Sequence, residues 1–291
     1  MTATAMMAQP GLQREAPSRE PRGGATVLDR LRHALRAIEG TEVGRSARST
    51  PLGIACIDEA LGGGLADGTL HEIAAMREAG MAAATGFALA LAARSPGPVV
   101  WVAEDMGLIE SGRPYGPGLD DLGLAPERLV MVAAAKSRDV LWAIEEALQC
   151  RGIGAVIGEI RSADIDLTTT RRLSLAAGRR GGLALLLRSA PGREASAAAT
   201  RWTVEAAPSD VAAPFPTASA PTASAPTRSG AMALGPGPAR FAVSLARNRR
   251  GHPGSWVLEW NRVEHCFDLA SAHREPVAQA ALDRPRQAAG A

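Results

Sequence analysis

Residues 52–92 have the residue types and spacing that phosphate chemistry uses. A glycine-rich turn at 62–64 leads into a predicted strand at 69–75, and a short loop joins that strand to a predicted helix at 82–94. In a phosphate-binding loop of this layout, backbone N–H groups at a helix N-terminus hold the phosphates. A lysine neutralises them, and a Ser or Thr hydroxyl holds magnesium. The segment therefore predicts a phosphate-facing loop, whose chemistry depends on that lysine and that hydroxyl.

The run IDEALGGGLADGTLHEI resembles the lead-in to the first core strand of the RecA family. On this resemblance the first loop glycine falls on Ala75, the second on Gly80, the lysine on Met81 and the hydroxyl residue on Ala82. The spacing is kept, but methionine brings no charge and alanine cannot hold a metal, so phosphate stabilisation is lost. We expect a nucleotide-binding fold without a working nucleotide site, a cofactor or a metal. Weak residual binding at Gly80 and the helix N-terminus is the alternative.

Two carboxylates, Glu104 and Glu159, lie in runs that resemble the RecA strands ending in functional acids. VVWVAED (99–105) resembles the strand that ends in the catalytic glutamate, which would be Glu104. IGAVIGEI (153–160) resembles the strand that ends in a magnesium-related aspartate, and Gly158 and Glu159 stand there. We interpret Glu104 as a relic, because without the loop lysine it has nothing to act on. The protein is therefore not expected to be an enzyme.

Arginine supplies nearly all of the basic charge, since Lys136 is the only lysine among 32 basic residues. A Schiff-base enzyme or a lysine-dependent phosphate loop therefore has one candidate at most. Lys136 follows a predicted strand at the edge where ligands bind in such sheets, but a solvated loop lysine is the simpler interpretation. GC-rich coding explains the general arginine bias and leaves open what replaces lysine at a particular site.

Cysteine spacing and the apolar runs exclude other classes of protein. Cys56, Cys150 and Cys266 form no CxxC or Cys/His metal pattern, which predicts a reduced cytosolic protein. The first 24 residues carry charges and lack the apolar core of a secretory signal. No run approaches the roughly 18 apolar residues of a membrane span. We expect a cytoplasmic protein without membrane contact.

Short apolar runs alternate with helical runs between Thr50 and about Ala190. The predicted strands lie at 69–75, 98–104, 128–135, 153–160 and 183–190, with helices at 82–94, 138–150 and 167–180. This order indicates a buried, mainly parallel sheet covered on both faces. Runs at 199–207, 239–247 and 255–260 alternate as half-buried strands do. The predicted fold class is α/β: a single RecA-like core with a mainly parallel central sheet, flanking helices and antiparallel C-terminal strands.

The ends of the chain and one internal segment differ from this pattern. Residues 1–25 are predicted to be disordered, and 26–50 to form a helix and linker, before a core at 51–270. The helix has an apolar stripe, a candidate partner surface, formed by Leu28, Leu31, Leu35 and Ile38. The core contains a low-complexity Pro/Ala/Ser/Thr insertion at 208–238, read as a flexible linker in preference to a partner-binding segment. Residues 271–291 are predicted to be a disordered tail.

Arginines cluster in two regions suited to DNA or an acidic partner. In 167–193, which has six arginines and no acid, the candidates are Arg171, Arg172, Arg179 and Arg180, although simple solvation is an equal alternative. FAVSLARNRRGHPGSWVLEW resembles the late strands of RecA-like cores, where a Lys-Asn-Arg-x-Gly turn reaches a neighbouring subunit's nucleotide. The turn here is Arg247, Asn248, Arg249, Arg250 and Gly251, and its crowded charges favour a function. For Trp256 and Trp260, on one side of a strand, packing is favoured over base stacking.

Taken together, three further segments extend the resemblance to the ImuA family, over roughly residues 26–270. They are RPYGPGL (113–119), LTTTRRLSLAAG (167–178) and ARNRRGHPGSWVLEW (246–260), on a RecA-like core without the loop lysine. The family consists of RecA-related accessory proteins of bacterial damage-induced mutagenesis cassettes. The resemblance implies a non-enzymatic role in translesion synthesis during the SOS response. The implied partners are an ImuB-like protein, an error-prone replicative-type polymerase and, as a further candidate, RecA, with direct DNA contact left open. It also implies a cytoplasmic protein that joins the nucleoid on damage.

Two other hypotheses remain at the level of sequence. One is a DNA-dependent ATPase with an unconventional site, and the other is an SOS-linked inhibitor of RecA or of cell division. The absence of ATP binding would exclude the first. Overexpression that changes neither septation nor RecA filaments would count against the second.

Overall fold

A nine-stranded mixed sheet forms the centre of the described part of the chain, with helices on both faces. The computed structural model describes residues 48–161, 165–209 and 237–270, all within one compact unit, Gly44–Ala291. The strands are β1 (Ser49–Thr50), β2 (Leu65–Ala66), β3 (Leu70–Ala75), β4 (Val99–Glu104), β5 (Leu129–Ala134), β6 (Ala155–Ile160), β7 (Leu183–Arg188), β8 (Thr200–Ala207), β9 (Arg240–Asn248), β10 (Gly254–Asn261) and β11 (Cys266–Leu269). The helices are α1 (Ala55–Leu61), α2 (Met81–Ala93), α3 (Asp105–Ser111), α4 (Gly116–Asp121), α5 (Ser137–Gln149) and α6 (Leu167–Arg180).

The sheet joins a parallel half to an antiparallel half at β8. Within the described residues its strand order is β11-β10-β9-β8-β3-β7-β6-β4-β5, and β1 and β2 form a separate pair. All neighbours from β8 to β5 are parallel, and those from β8 to β11 are antiparallel. The mixed α/β fold and the antiparallel C-terminal strands are therefore confirmed. The three central helices and the main strands begin and end within a few residues of the predicted positions.

Two apolar layers cover the two faces of the parallel half. α1 and α2 pack on one face, where Phe87 and Leu91 are fully buried against Ile73 and Leu185. α5 and α6 pack on the other face, where Val140 and Leu173 enclose the side chains of alternate strand residues such as Leu186. Successive strand residues point to opposite faces, so a strand covered on both sides needs an almost continuous apolar run.

Aromatic side chains join α2 to the antiparallel strands. Phe87 of α2 lies 5.8 Å from Trp202 and 5.4 Å from Phe267 between ring centroids. Trp260 is 2% exposed and stands 4.8 Å from Phe267, while its Nε1 donates to the Asp121 carbonyl at 2.7 Å. Trp256 is half-buried beside Trp202, so the packing interpretation of these two tryptophans is confirmed.

The glycine-rich turn closes α1 tightly against β1. Gly62 has φ 72° and ends the helix, and its N–H donates to the Glu59 carbonyl at 3.0 Å. A Cβ on Gly64, whose φ is 118°, would lie 2.6 Å from the Thr50 carbonyl oxygen. Only glycine meets both conditions. The three glycines therefore form the tight turn between α1 and β2, packed against β1.

Several short elements are absent from the sequence-based prediction. α1 occupies part of the predicted glycine-rich lead-in, and α3, α4 and β11 each have seven residues or fewer. Elements of this length carry little periodic signal. The predicted N-terminal helix, the disordered ends and residues 210–236 of the predicted insertion lie outside the described residues.

A buried histidine ties the start of β3 to β8. The Nδ1 atom of His71 lies 2.7 Å from the Thr200 hydroxyl, and its Nε2 atom lies 3.0 Å from the Ala66 carbonyl. Since a carbonyl only accepts, Nε2 carries the proton and Nδ1 accepts from Thr200. Burial lowers the pKa of His71 from 6.5 to about 4; the hydrogen bond to Ala66 opposes this shift in part, and the positive charge of Arg250 adds a smaller lowering effect. The histidine is thus held neutral.

This pairing predicts a pH dependence of stability. Because the folded-state pKa of His71 lies below the unfolded value, the unfolded chain binds the extra proton between pH 6.5 and pH 4. The contribution is complete above pH 6.5 and is lost as pH falls through this window. Replacement by glutamine, His71→Gln, should lower the free energy of unfolding at pH 7. Between pH 7 and pH 4 the free energy of unfolding should fall by about 3 kcal/mol less in this variant than in the wild type. Urea denaturation of both proteins across this range measures the difference, and parallel curves would contradict the expectation.

Candidate functional site

The loop between β3 and α2 is short and closed by its own backbone. Glu78–Gly80 form one 3-10 turn, and the Gly80 N–H donates to the Arg77 carbonyl at 2.8 Å. A Cβ built on Gly80 would lie 3.7 Å from the Ala75 Cβ, so the two ends of the loop approach closely. Glu78 is exposed in the turn before the α2 N-terminus, where a carboxylate complements the helix dipole. The Glu78 carboxylate therefore already places a negative charge near the N-terminus of α2.

Met81 and Ala82 have opposite environments at the first turn of α2. Met81 is 6% exposed and belongs to the apolar core that contains Phe87 and Leu185. Ala82 is exposed and carries no group that could bind a metal. Met81, the residue to which the RecA resemblance assigns the lysine position, is therefore largely buried in the apolar core.

Both sequence-predicted acids are buried at the carboxyl edge of the sheet and have partners. Glu104 ends β4 and accepts a hydrogen bond from the Ser137 hydroxyl at the start of α5. Glu159 of β6 pairs in register with Ala103, so the two acids lie on neighbouring strands. One oxygen of Glu159 contacts Arg161 Nε at 2.6 Å, and the other accepts from Trp101 Nε1 at 3.2 Å. In the described residues no group of three or more His, Cys, Asp or Glu side chains could hold a metal ion.

A groove of about 730 Å³ lies beside this loop, between α2 and the α3–α4 segment. Met81, Leu89 and Leu119 contribute apolar surface, and the Glu159–Arg161 pair is the charged part of its lining together with Glu78 and Arg113. Lys136 does not line it and is exposed immediately before α5, just after β5. The groove therefore presents a concave, partly apolar surface next to the loop.

The predicted basic residues of α6 lie on its exposed surface, beside α5. Arg172 forms an ion pair with Glu145 at 2.9 Å, and Arg179 and Arg180 donate to the side chain and carbonyl of Gln149. Arg171 is exposed on the same helix. α6 begins at its N-cap Asp166, and hydrogen bonding by Thr169, first through its side chain and then through its backbone N–H, lowers the pKa of the Asp166 carboxyl. Arg172, Arg179 and Arg180 therefore contact residues of α5, whereas Arg171 is exposed without a described contact to that helix.

The predicted basic turn lies near the amino ends of β3 and β8, whereas the loop follows the carboxyl end of β3. Asn248 pairs with Thr200, the first residue of β8, and its side chain donates to the Ala60 carbonyl of α1 at 2.7 Å. Arg247 and Arg249 both donate to the Ser196 carbonyl, at 2.9 and 3.2 Å. Arg250 is exposed. The turn therefore contacts α1 and the segment around Ser196, and neither its arginines nor those of α6 line the groove beside Met81.

One charged cluster was missed by the sequence analysis. Glu72 is 3% exposed in the middle of β3 and pairs with Arg201 Nε at 2.7 Å. The signal was available: an acid inside the apolar run TLHEIAA of a buried strand needs a cationic or hydrogen-bonding partner. The identity of that partner depends on strand order, which the run does not contain.

These features define a class: an α/β protein with a mixed nine-stranded sheet in its described part and a strand–loop–helix unit in which the buried Met81 opens the helix. No family model matches the chain. The chain is 34% identical over 223 residues to "Protein ImuA" of Caulobacter vibrioides (strain NA1000 / CB15N), covering 70% of this chain and 80% of that protein. The same values hold for "Protein ImuA" of strain ATCC 19089 / CIP 103742 / CB 15. The chain belongs to the ImuA family.

No helix in the part of the chain that the structure describes combines the length and apolar character that a bilayer crossing requires.

The buried Glu159–Arg161 pair predicts a non-additive pattern of stability. Replacement of arginine alone, Arg161→Met, leaves a buried carboxylate without its cation and should cost about 3 kcal/mol of unfolding free energy. The double variant Glu159→Gln/Arg161→Met retains an acceptor for Trp101 and should recover most of that loss. Urea denaturation of the two single variants and the double variant measures the coupling. Additive losses would show that Arg161 does not compensate the carboxylate.

Proposed function

We propose that the protein is a non-catalytic accessory factor in damage-induced translesion DNA synthesis. In this proposal it supports mutagenesis in the SOS response by recruiting or regulating an ImuB-like protein and an error-prone replicative-type polymerase. Membership of the ImuA family is the observation that carries the proposal. The protein would act in the cytoplasm and join the nucleoid when DNA is damaged.

The environment of the loop supports a role without nucleotide hydrolysis. Catalysis of phosphoryl transfer depends on cations and a metal placed against the phosphates. Here the lysine position is the buried Met81, the next position is alanine, and Glu159 is already neutralised by Arg161. We therefore assign the RecA-like core to a scaffolding role with a degenerate loop.

Two surfaces are proposed for the partners. The apolar stripe of the predicted helix at 26–39 would contact the ImuB-like protein or RecA, as an amphipathic helix docks in an apolar groove. The exposed arginines of α6 and of the 247–250 turn would meet DNA phosphates or an acidic partner. The two surfaces make separable contributions, since one is apolar and the other is electrostatic.

Complementation tests the proposal directly. Deletion of the gene should remove most of the damage-induced mutation frequency, measured as resistant colonies after ultraviolet irradiation, and the wild-type gene should restore it. The variant Glu104→Gln should restore it fully, because no hydrolytic step is required. Deletion of 26–39 should abolish restoration and capture of the ImuB-like protein. An unchanged mutation frequency in the deletion strain would refute the role.

The non-catalytic proposal and the ATPase alternative make opposite predictions for the loop. Under the non-catalytic proposal, calorimetric titration of the purified protein with Mg-ATP should give no binding heat, and Glu104→Gln should leave any trace hydrolysis unchanged. Saturable ATP binding together with loss of hydrolysis in Glu104→Gln would replace the scaffold by an enzyme. Overexpression that blocks septation or RecA filament assembly would favour the inhibitor alternative.

Direct DNA contact by the basic turn predicts a change in salt dependence. If Arg249 and Arg250 neutralise two phosphates of single-stranded DNA, Arg249→Ala/Arg250→Ala should reduce the slope of log K against log salt by about 1.4. Arg77→Ala provides the control, because Arg77 is an exposed arginine that pairs with Glu205 near the loop at the other edge. Fluorescence anisotropy with a labelled oligonucleotide measures both slopes. Equal slopes for the wild type and the double variant would exclude the contact.

A further inference from the structure

A small cavity lies where four strands run side by side on the α6 face of the sheet. It measures about 170 Å³ and is bounded by residues of β3, β7, β8 and β9 and by the loop after β7. Three arginines line it, Arg188, Arg201 and Arg247, together with a single acid, Glu72. Thr203 adds a hydroxyl to the same lining. The cavity is therefore strongly cationic, and it is separate from the groove beside Met81.

The single acid of the cavity is fully engaged. One oxygen of Glu72 contacts Arg201 Nε at 2.7 Å, and the other accepts from the Ser196 hydroxyl. Arg201 also donates to the Gly192 carbonyl at 2.6 Å and to the Glu194 carbonyl at 3.3 Å. Glu72 thus balances the charge of Arg201, and each of its carboxylate oxygens already accepts a hydrogen bond.

Two guanidinium groups converge on one glycine at the wall of the cavity. A Cβ on Gly192 would lie 2.2 Å from Arg188 Nη1 and 3.0 Å from Arg201 Nη2. The absence of a side chain at this position is therefore what lets the loop after β7 lie against both cations. Arg188 has an interaction of its own, so the cations compared with Glu72 are Arg201 and Arg247.

Arg247 supplies the excess charge. Its Nη1 atom donates to the Ser196 carbonyl at 2.9 Å, and no carboxylate in the described residues forms an ion pair with it. The side chain is half-buried, so solvent screens its charge less than that of a surface arginine. Arg201 and Arg247 set against Glu72 leave one positive charge facing the cavity.

We propose that this cavity binds a phosphate group. A guanidinium presents its N–H donors as a planar fork that matches two phosphate oxygens, and hydroxyl donors such as Thr203 complete such sites. A phosphodiester carries one negative charge, which a lining with more cations than acids attracts. The group could come from a nucleic-acid backbone or from free phosphate, and both share the chemistry that the cavity recognises.

The neighbouring cations extend the site toward the surface. Arg249 donates to the same Ser196 carbonyl as Arg247, and Arg193, which follows Gly192 in the chain, is exposed. A backbone phosphate seated in the cavity would therefore have further basic side chains near it. This site is independent of the proposed recruitment of a polymerase, because it requires neither partner protein nor the helix at 26–39.

Two binding measurements on the full chain test the site. Thermal unfolding with sodium phosphate, against sodium chloride at equal ionic strength, reports free phosphate. Anisotropy with a labelled oligothymidine, with and without added phosphate, reports nucleic acid. The variant Arg247→Gln should weaken binding of at least one probe about tenfold or more. The matched control Arg262→Gln removes an arginine that lies 3.6 Å from Asp121 at a distant strand end, and it should leave both bindings unchanged.

The outcomes separate the two sources of phosphate. Loss of oligonucleotide binding in Arg247→Gln, with competition by phosphate in the wild type, supports a nucleic-acid phosphate. Loss of phosphate stabilisation alone supports a free anion. If Arg247→Gln does not fold, Thr203→Val should weaken binding roughly fivefold by removing one hydroxyl donor. Wild-type protein that binds neither probe, or equal binding by the wild type and the cavity variants, overturns the proposal.

Discussion

The burial of β3 on all sides is the constraint on which the structure depends. Its backbone bonds to β7 on one side and β8 on the other, and α2 and α6 cover its two faces. A polar side chain on a strand enclosed in this way needs a hydrogen-bonding or ionic partner within the protein. His71 and Glu72 meet that condition through Thr200 and Arg201, both from β8. The strand that leads to the loop is thus also the strand that joins the two halves of the sheet.

Much of the fold could be predicted from the sequence, because the buried strands are continuous apolar runs and the long helices show clear stripes. The expected loss of loop chemistry remains a prediction that depends on the RecA resemblance, which assigns the lysine and hydroxyl positions to Met81 and Ala82. The burial of Met81 could not be predicted, because a methionine fits both a surface and a core position. The Arg201 partner of Glu72 and the Arg161 partner of Glu159 also required the fold. Neighbouring strands that are distant in sequence bring the first pair together, and a turn at the strand end places the second.

In the described residues, arginine forms ion pairs with the buried acids Glu72 and Glu159 and with the half-buried Glu259. Glu72, Glu159 and Glu259 each contact an arginine Nε atom, at 2.7, 2.6 and 2.6 Å. A guanidinium retains several donors after forming such a bond, so Arg201 also holds two carbonyl groups of the loop after β7. A lysine ammonium has three donors on a flexible stem and no planar fork. The scarcity of lysine therefore has a structural counterpart: charge compensation and loop attachment are performed by the same side chains.

The bond from Asn248 to the Ala60 carbonyl spans 188 residues of chain. Like the pairing of β3 with β8, it joins segments that leave the ribosome far apart in time. Until residues 200–207 emerge, one edge of β3 has no neighbour, although β7 can already occupy the other. Contacts of such long sequence separation form slowly and expose unpaired strand edges meanwhile. The nascent protein therefore passes through a stage in which its central strand is half-paired, and the late-synthesised basic hairpin can reach α1 only after that stage ends.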